Sequence, residues 1–234
     1  MTRIFHLTLR THDVDAARTF YATLLGDVPL DIVQLHEQAV ARGARPHWLG
    51  FLEVGDVDRA AAAFGARGAS PLGPKWVNPG GLEAAVMRDP GGSILALAKP
   101  PPAAQLDGRP RAHGPDVVWY ELNTADVASA KTNYGELFGW AFDGPRDLGS
   151  LGVLHPFAWQ PGGPWVGSMA DVALRPGVHA HWLFHLRVDS LSRAVNAVRD
   201  AGGTVIGPIT LPNGKQVAVC DDPQGAAFAI RQGD

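Results

Sequence analysis

The sequence predicts an α+β fold built from four related strand–helix modules arranged in two similar halves. Three observations predict it. The stretch at 11–26, THDVDAARTFYATLLG, returns without a gap at 124–139 as TADVASAKTNYGELFG, 113 residues later. A second stretch opening on HWL at His47 returns at His181, each time followed by a helical pattern. A D-P-x-G turn occurs late in each half, at 89–92 and 222–225. Ungapped self-similarity of this kind marks duplication of a supersecondary unit. Alternating segments of about eight residues beside helices, with hairpin signals between the later strands, give sheets whose helices cover one face.

The elements follow in chain order. Residues 4–11 alternate apolar and polar side chains and read as a half-buried strand. Asp13 caps a helix that runs to about Leu25 and has an apolar face of Val14, Ala17, Phe20, Tyr21, Leu24 and Leu25. DVPLDIVQLH has room for short strands, and EQAVARGARP reads as a turn-rich connection. At His47 a strand, HWLGFLEV, leads to the helix DVDRAAAAFGARGA, and LEAAVM and SILALAK form strands about the turn RDPGG. Residues 99–115 are rich in Pro and Gly without apolar period and read as a linker between domains at 1–98 and 116–234. The pattern then restarts with VVWYELNT and the second copy of the helix. Residues 140–175 supply strands about PGGP, and HWLFHLRV with LSRAVNAVRDAGG restarts the remaining module. Each module is a strand, a helix and up to three further strands.

Composition narrows the function classes. Hydrophobic residues at 46% and charged residues at 18% suit a globular chain with a real core. A net charge of −3 offers no basic patch for nucleic acid. The lone Cys220 excludes an internal disulfide, and its place in the apolar strand VAVC makes it packing rather than a nucleophile. The start of the chain lacks a signal-peptide pattern and no stretch has the length of a membrane span, so a cytoplasmic protein without membrane partners is expected. PGGP and PGG lack a following G-K-S/T or a Rossmann context, and no Gly-x-Ser-x-Gly occurs.

The D-V-x-x-A helices ending LLG and LFG, the GG-T-V-I-G-P turn and the D-P-x-G turns resemble those of the vicinal oxygen chelate superfamily. That superfamily includes glyoxalase I, bleomycin-resistance proteins and extradiol dioxygenases. Within it, ELFGW and the HWLF…DPQGA combination look like the tandem glyoxalase-like proteins of actinobacteria and similar bacteria. The resemblance implies four βαβββ modules in two glyoxalase-like halves, with curled mixed sheets around a cavity and helices on the outer face. It also implies where a metal would be held. One ligand comes from each module's first strand, seven residues before the helix cap, and another from the last strand, seven residues after the Asp of D-P-x-G. The first-strand positions fall on His6, Leu49, Trp119 and Leu183, and the last-strand positions on Ala96 and Ala229. Only His6 can bind an ion, and a catalytic divalent ion wants about three protein ligands. No metal site and no cofactor are expected, with one divalent metal ion as the alternative.

Alternation along the strands gives a list of cavity residues. It places His6, Thr8 and Arg10, then His47, Leu49, Phe51 and Glu53, on the inner face of the first half. In the second half it places Trp119, Glu121 and Asn123, then His181, Leu183, His185 and Arg187. Leu7, Trp48, Leu52, Val118, Leu122, Phe184 and Leu186 are left to pack against helices, and a slip of one residue would bury charges there. The ligand-binding candidates are His6, Arg10, Phe51, Trp119, Asn123, Leu183 and Arg187. Glu121 and His185 hold corresponding positions and form the candidate catalytic pair, since a carboxylate beside an imidazole makes an acid/base couple. The plainer reading of His6 is a hydrogen-bonded core or cavity histidine, and that of Glu121 and His185 a satisfied ion pair. Trp119 in a ligand slot suits stacking on a flat, apolar molecule, whereas Trp48 and Trp182 read as core.

Three functions stay open on the sequence. The first is a protein that binds a small, partly aromatic molecule in a cupped-sheet cavity without the usual metal. The second is a metal-dependent lyase or dioxygenase with an altered site around His6, using other histidines such as His36 or His47. The third is a metal-free acid/base enzyme using Glu121 and His185. The partner expected is a small-molecule ligand, and a homodimer is left open.

Overall fold

The computed structural model describes residues 2–101, 114–149, 152–175 and 178–233. Most of the expected linker at 99–115, namely 102–113, lies outside the described residues. The first half consists of β1 (Ile4–Thr11), α1 (Val14–Leu25), β2 (Asp31–Gln34), α2 (Glu37–Ala41), β3 (His47–Glu53), α3 (Val57–Gly65), β4 (Ser70–Pro71), β5 (Trp76–Val77), β6 (Glu83–Arg88) and β7 (Ile94–Lys99). The second half consists of β8 (Val117–Asn123), α4 (Val127–Phe138), β9 (Ala141–Phe142), β10 (Arg146–Asp147), β11 (Val153–Ala158), β12 (Gly167–Ala170), β13 (His181–Val188), α5 (Leu191–Asp200), β14 (Thr204–Thr210), β15 (Gln216–Asp221) and β16 (Ala227–Gln232).

Each long helix starts for the same local reason. The side chains of Asp13, Asp56, Asp126 and Ser190 accept the backbone N–H three residues on, which satisfies a donor the helix cannot. Inward faces recur at helical spacing, as with Ala17, Phe20 and Tyr21 on α1 and Leu191, Ala194, Val195 and Val198 on α5. The connection EQAVARGARP differs from the expectation, because its first half is the short helix α2. His36 Nδ1 accepts the Gln38 N–H at 3.2 Å and so stands in for a conventional cap.

Two open mixed sheets result. The first has the order β2-β1-β3-β7-β6-β4, with β5 also on β6, and the second has β10-β11-β12-β8-β13-β16-β15-β14, with β9 also on β11. In every module the first strand pairs in parallel with the last: β1 with β2, β3 with β7, β8 with β12, and β13 with β16. The first module is abbreviated. Its β2 follows α1 directly and takes the place that a third further strand holds elsewhere, so the hairpin between is missing.

The chain packs as two compact units, each drawing on both halves of the sequence. One unit holds the end of β3, α3 and β4–β7 together with Tyr120–Trp182, which carries most of β8, then α4 and β9–β12. In it Tyr134, fully buried on α4, donates its hydroxyl to Asp89 of the first D-P-x-G turn at 3.0 Å. Trp182 meets the Tyr134 ring edge-on at 5.9 Å. Trp140 stacks between Tyr134 and Phe157, with both ring centroids 4.8 Å away. At Gly91 of the turn a Cβ would lie 2.3 Å from Thr124 Oγ1, so only glycine lets the turn approach this closely.

The other unit holds Leu7–Leu49, which carries most of β1, then α1, β2 and α2, together with α5 and β14–β16. Here Tyr21 on α1 donates to Asp222 of the second D-P-x-G turn at 3.2 Å and accepts Trp48 Nε1–H at 3.0 Å. Gln224, the counterpart of Gly91, clamps the start of α1. Its Oε1 accepts the Asp13 N–H at 2.7 Å, and its Nε2 donates to the Asp13 carbonyl at 2.8 Å.

Burial raises the carboxyl pKa of both Asp89 and Asp222 above the ordinary value, against the pull of backbone and tyrosine donors. A raised carboxyl pKa means that the folded chain holds these protons to higher pH than the unfolded one. The stability this contributes is complete below the unfolded value of about 3.9 and is lost as pH rises through the folded value. The urea unfolding free energy of the native chain minus that of Asp222→Asn is expected to fall as pH is raised from 4 to 7. A difference that is flat or rising would contradict the assignment.

Candidate functional site

Trp48 and Phe228 contact α1, and Trp182 contacts α4, so the residues alternating with them point to the sheet face opposite the helices. In the unit that contains α5, that face carries Leu183 on β13, Val217 on β15 and Ala229 on β16 as one buried apolar cluster. Ile209, Leu211, Val219 and Ala227 pack against it. Buried His185 pairs in register with Ala229, and Arg187 with Arg231. Trp119 belongs to this unit, and the Arg231 guanidinium lies over its ring, 5.4 Å from the centroid. Arg187 is half exposed and holds Asp116 through Nε. The same unit contains Arg10, whose pKa burial lowers and nearby Asp31 raises.

Of the other sequence candidates, His6, Phe51, Glu121 and Asn123 belong to the first unit. His6 lies against Phe51 with ring centroids 5.1 Å apart. Glu121 pairs in register with buried Ser168. Asn123 is buried, and its amide Nδ2 lies 3.3 Å from His181 Nε2. His181 Nδ1 faces the His179 carbonyl at 2.8 Å, which places the imidazole proton on Nδ1 and makes Nε2 the acceptor of the Asn123 amide. His47 repeats the device with the Arg45 carbonyl at 2.7 Å, and burial lowers its pKa. Trp159 joins the core ring cluster, at 4.8 Å from Trp140 and 5.0 Å from Tyr120. The structure thus gathers Leu183, His185, Arg187 and Trp119 in one unit, and His6 and Phe51 in the other.

The strand registers complete the set of positions at which a metal ligand is expected. Phe51 pairs with Ala96 and His185 with Ala229, and the equivalent pairs are Thr8 with Asp31 and Glu121 with Ser168. Asp31 is a position the sequence reading missed, because the abbreviated first module has no D-P-x-G turn from which to count. Asp31 Oδ2 accepts the Thr8 hydroxyl at 2.7 Å. Leu49, Leu183, Ala96 and Ala229 are buried and Trp119 is apolar, so none of them offers a lone pair to an ion. Among the described residues there is no group of three or more His, Cys, Asp or Glu that could hold a metal ion. The donor set therefore does not fit the metal that the resemblance implies. Arg231 was also missed. It lies two residues beyond Ala229 on β16, and the same period-two count that reached Ala229 would have found it.

Residues 119–231 match the glyoxalase-like domain family. Over 95% of the chain it is 26% identical to "Putative glyoxylase CFP32" of Mycobacterium tuberculosis, covering 91% of that protein. It is 30% identical over 126 residues to the anthracycline biosynthesis protein DnrV of Streptomyces peucetius, a match spanning 48% of this chain and 45% of DnrV. Among solved structures it superposes on the 2,3-dioxygenase LapB from Pseudomonas sp. KL28 with a TM-score of 0.59 and 16% identity, over 97% of this chain and 91% of that one. Residues 119–231 are thus a glyoxalase-like domain, and the chain as a whole has the fold of the extradiol dioxygenases and glyoxalases.

The duplication within this glyoxalase-like chain also shows where its units differ on the helix side. Arg67, after α3, donates to Glu136 and Asn133 of α4, and the space beside that bridge is about 60 Å³. The counterparts of Arg67, Glu136 and Asn133 in the other unit are Ala201, Thr23 and Phe20. There an apolar groove of about 370 Å³ lies between α1 and α5. No helix among the described residues is long and apolar enough to cross a membrane.

Cys220 is buried on β15, and burial pushes its thiol up to about 12. A thiol so raised forms almost no thiolate near neutrality. Iodoacetamide at pH 7.5 is expected to leave Cys220 unlabelled until denaturant unfolds the chain, as read by intact mass. Stoichiometric labelling of the native protein would contradict this.

Proposed function

We propose that this glyoxalase-like protein binds a small, partly aromatic molecule on the β13–β16 sheet face, without a metal ion. The observation that carries the reading is the buried apolar cluster of Leu183, Val217 and Ala229, in which Leu183 and Ala229, like Trp119, hold positions where the resemblance implies metal donors. An apolar floor with a few polar groups at its rim is the usual form of a small-molecule site. Trp119 offers a flat surface, and His185 and Arg187 supply the polar rim. Similarity to CFP32, named for glyoxylase chemistry, and to DnrV, named for anthracycline biosynthesis, supports action on small molecules.

A second reading is a metal-dependent lyase or dioxygenase with an altered site around His6, the one first-strand ligand position that carries a donor. It is the weaker one, since a single donor falls short of the three a catalytic ion ordinarily has.

Two measurements test these readings. An aromatic ligand is expected to quench tryptophan emission in a saturable way. Trp119→Ala is expected to weaken that binding by about ten- to a hundredfold, on the order of 1–3 kcal/mol for a lost buried aromatic contact. Trp165→Phe, at an exposed tryptophan, leaves it unchanged. Equal loss in both variants would remove the site from this face. Elemental analysis of protein purified without chelator is expected to give well under one equivalent of divalent metal. A full equivalent that His6→Ala abolishes would promote the second reading.

A further inference from the structure

The helix side of the duplicated fold has the same seat twice, and only one copy is filled from within. Between α3 and α4, Arg67 reaches across to Glu136 and Asn133, and about 60 Å³ is left beside the turn at Asp89. Between α1 and α5 the corresponding residues are Ala201, Thr23 and Phe20, and about 370 Å³ stays open beside the turn at Asp222. Helix pair and turn are common to both copies, so the difference lies in the side chains. The walls of the larger space are apolar, with Ala16, Ala17, Phe20 and Leu24 on one side and Ala197 and Ala201 on the other. Its polar side chains are already engaged. The Thr19 hydroxyl donates to the Asp15 carbonyl and the Thr23 hydroxyl to the Thr19 carbonyl, each at 3.0 Å. Gln224 commits its Oε1 and Nε2 to the backbone of Asp13. Asp222 Oδ2 accepts the Tyr21 hydroxyl, and its Oδ1 accepts the Gln224 and Ala226 N–H groups.

We propose that this groove between α1 and α5 is a second binding site, which takes one small, neutral, apolar molecule such as a monocyclic hydrocarbon. It lies on the helix side of the sheet and does not depend on the reading of the β13–β16 face. The class of guest follows from the lining. Water settles in such a space only with about two to four polar partners, and an apolar space without them takes apolar guests instead. In the other copy an arginine fills the seat because Glu136 is there to meet its charge, whereas Thr23 in that place recruits no cation. Asp222 is the one ionisable side chain in the lining among the described residues. It repels an anion, and an ammonium would have to compete with the Tyr21 hydroxyl and two backbone N–H groups for its oxygens. The size is sufficient, since sites for single small ligands begin at about 300 Å³. The walls are also held before a guest arrives. The Tyr21–Asp222 bond and the double contact of Gln224 with Asp13 fix α1 against the turn, so binding does not have to order them.

The experiment follows isotope-labelled alanine methyl groups by NMR at pH 7.5 while toluene, benzoate or benzylammonium is added. These probes share a ring and differ in charge. Toluene is expected to shift the Ala16, Ala17, Ala197 and Ala201 methyls in a saturable way, and the two ions to act there about tenfold more weakly or less. The Ala229 methyl reports the sheet face separately. Ala201→Arg combined with Thr23→Glu installs the pair that fills the other copy, and is expected to abolish the toluene shifts at Ala16, Ala17 and Ala197. Ala201→Leu fills the space without charge, is expected to weaken them, and decides the matter if thermal melting shows that the double variant does not fold. Absence of shifts at the groove methyls, or shifts that survive in the folded filled variants, overturns the site. Equal action of the three probes overturns the neutral class of guest. Groove methyls that shift with protein concentration alone would give the groove to a second copy of the chain and overturn the proposal as well.

Discussion

The hydrogen bond from a helix tyrosine to a turn aspartate holds each compact unit together, and it is made twice. Tyr21 meets Asp222 and Tyr134 meets Asp89, in each case with a tryptophan of a neighbouring first strand against the phenol. The aspartate is buried, so its carboxyl must be satisfied, and backbone donors of its own turn complete the set. Asp222 Oδ1 accepts from Gln224 and Ala226, and Asp89 Oδ1 from Ser93. The turn cannot shift without stranding a buried carboxyl, which would cost about 1–3 kcal/mol or more. The adjoining last strand is thereby fixed, and with it the register that puts Ala229 beside His185 and Arg231 beside Arg187. The geometry of this sheet face traces back to the Tyr21–Asp222 bond.

Much of this was legible from the residues alone. Asp13, Asp56, Asp126 and Ser190 announced four helix starts because a cap is a local device, written within three residues of its partner. The strands at 4–11 and 47–53 showed themselves by alternation for the same reason. What escaped depended on distance. All three parts of the Trp–Tyr–Asp contact were noted as repeated motifs, but nothing in a linear reading says that Tyr21 would choose the later of the two D-P-x-G turns. Asp31 escaped because its strand arrives without the hairpin that flags its counterparts, and only the pairing with Thr8 identifies it. The helix α2 was hidden by the Gly and Pro that follow it, although its own five residues carry neither.

Duplication supplies an internal control for every position. Where both copies agree, as at Tyr21 and Tyr134, the residue answers to the fold. Where they part, as at Phe51 and His185 or Ala98 and Arg231, the fold accepts different side chains at one register position. The β13–β16 face is where the two copies part most visibly in charge. It has gained an imidazole and two guanidiniums over a floor that stays apolar.

The span between the bonded residues has a consequence for how the chain is made. Asp89 and Tyr134 are 45 residues apart, but Tyr21 and Asp222 are 201 apart. At roughly 5–20 residues per second, a ribosome delivers the partner of Tyr134 within about 2–9 s of that of Asp89, while α1 waits about 10–40 s for its turn. During that interval Phe20 and Tyr21, buried in the finished protein, have no β16 to cover them. One unit can close before the other, which must stay open until the turn at Asp222 and β16 have emerged. Between the making of α1 and the making of β16 the chain therefore carries the uncovered apolar face of this helix, a natural point of capture for a chaperone.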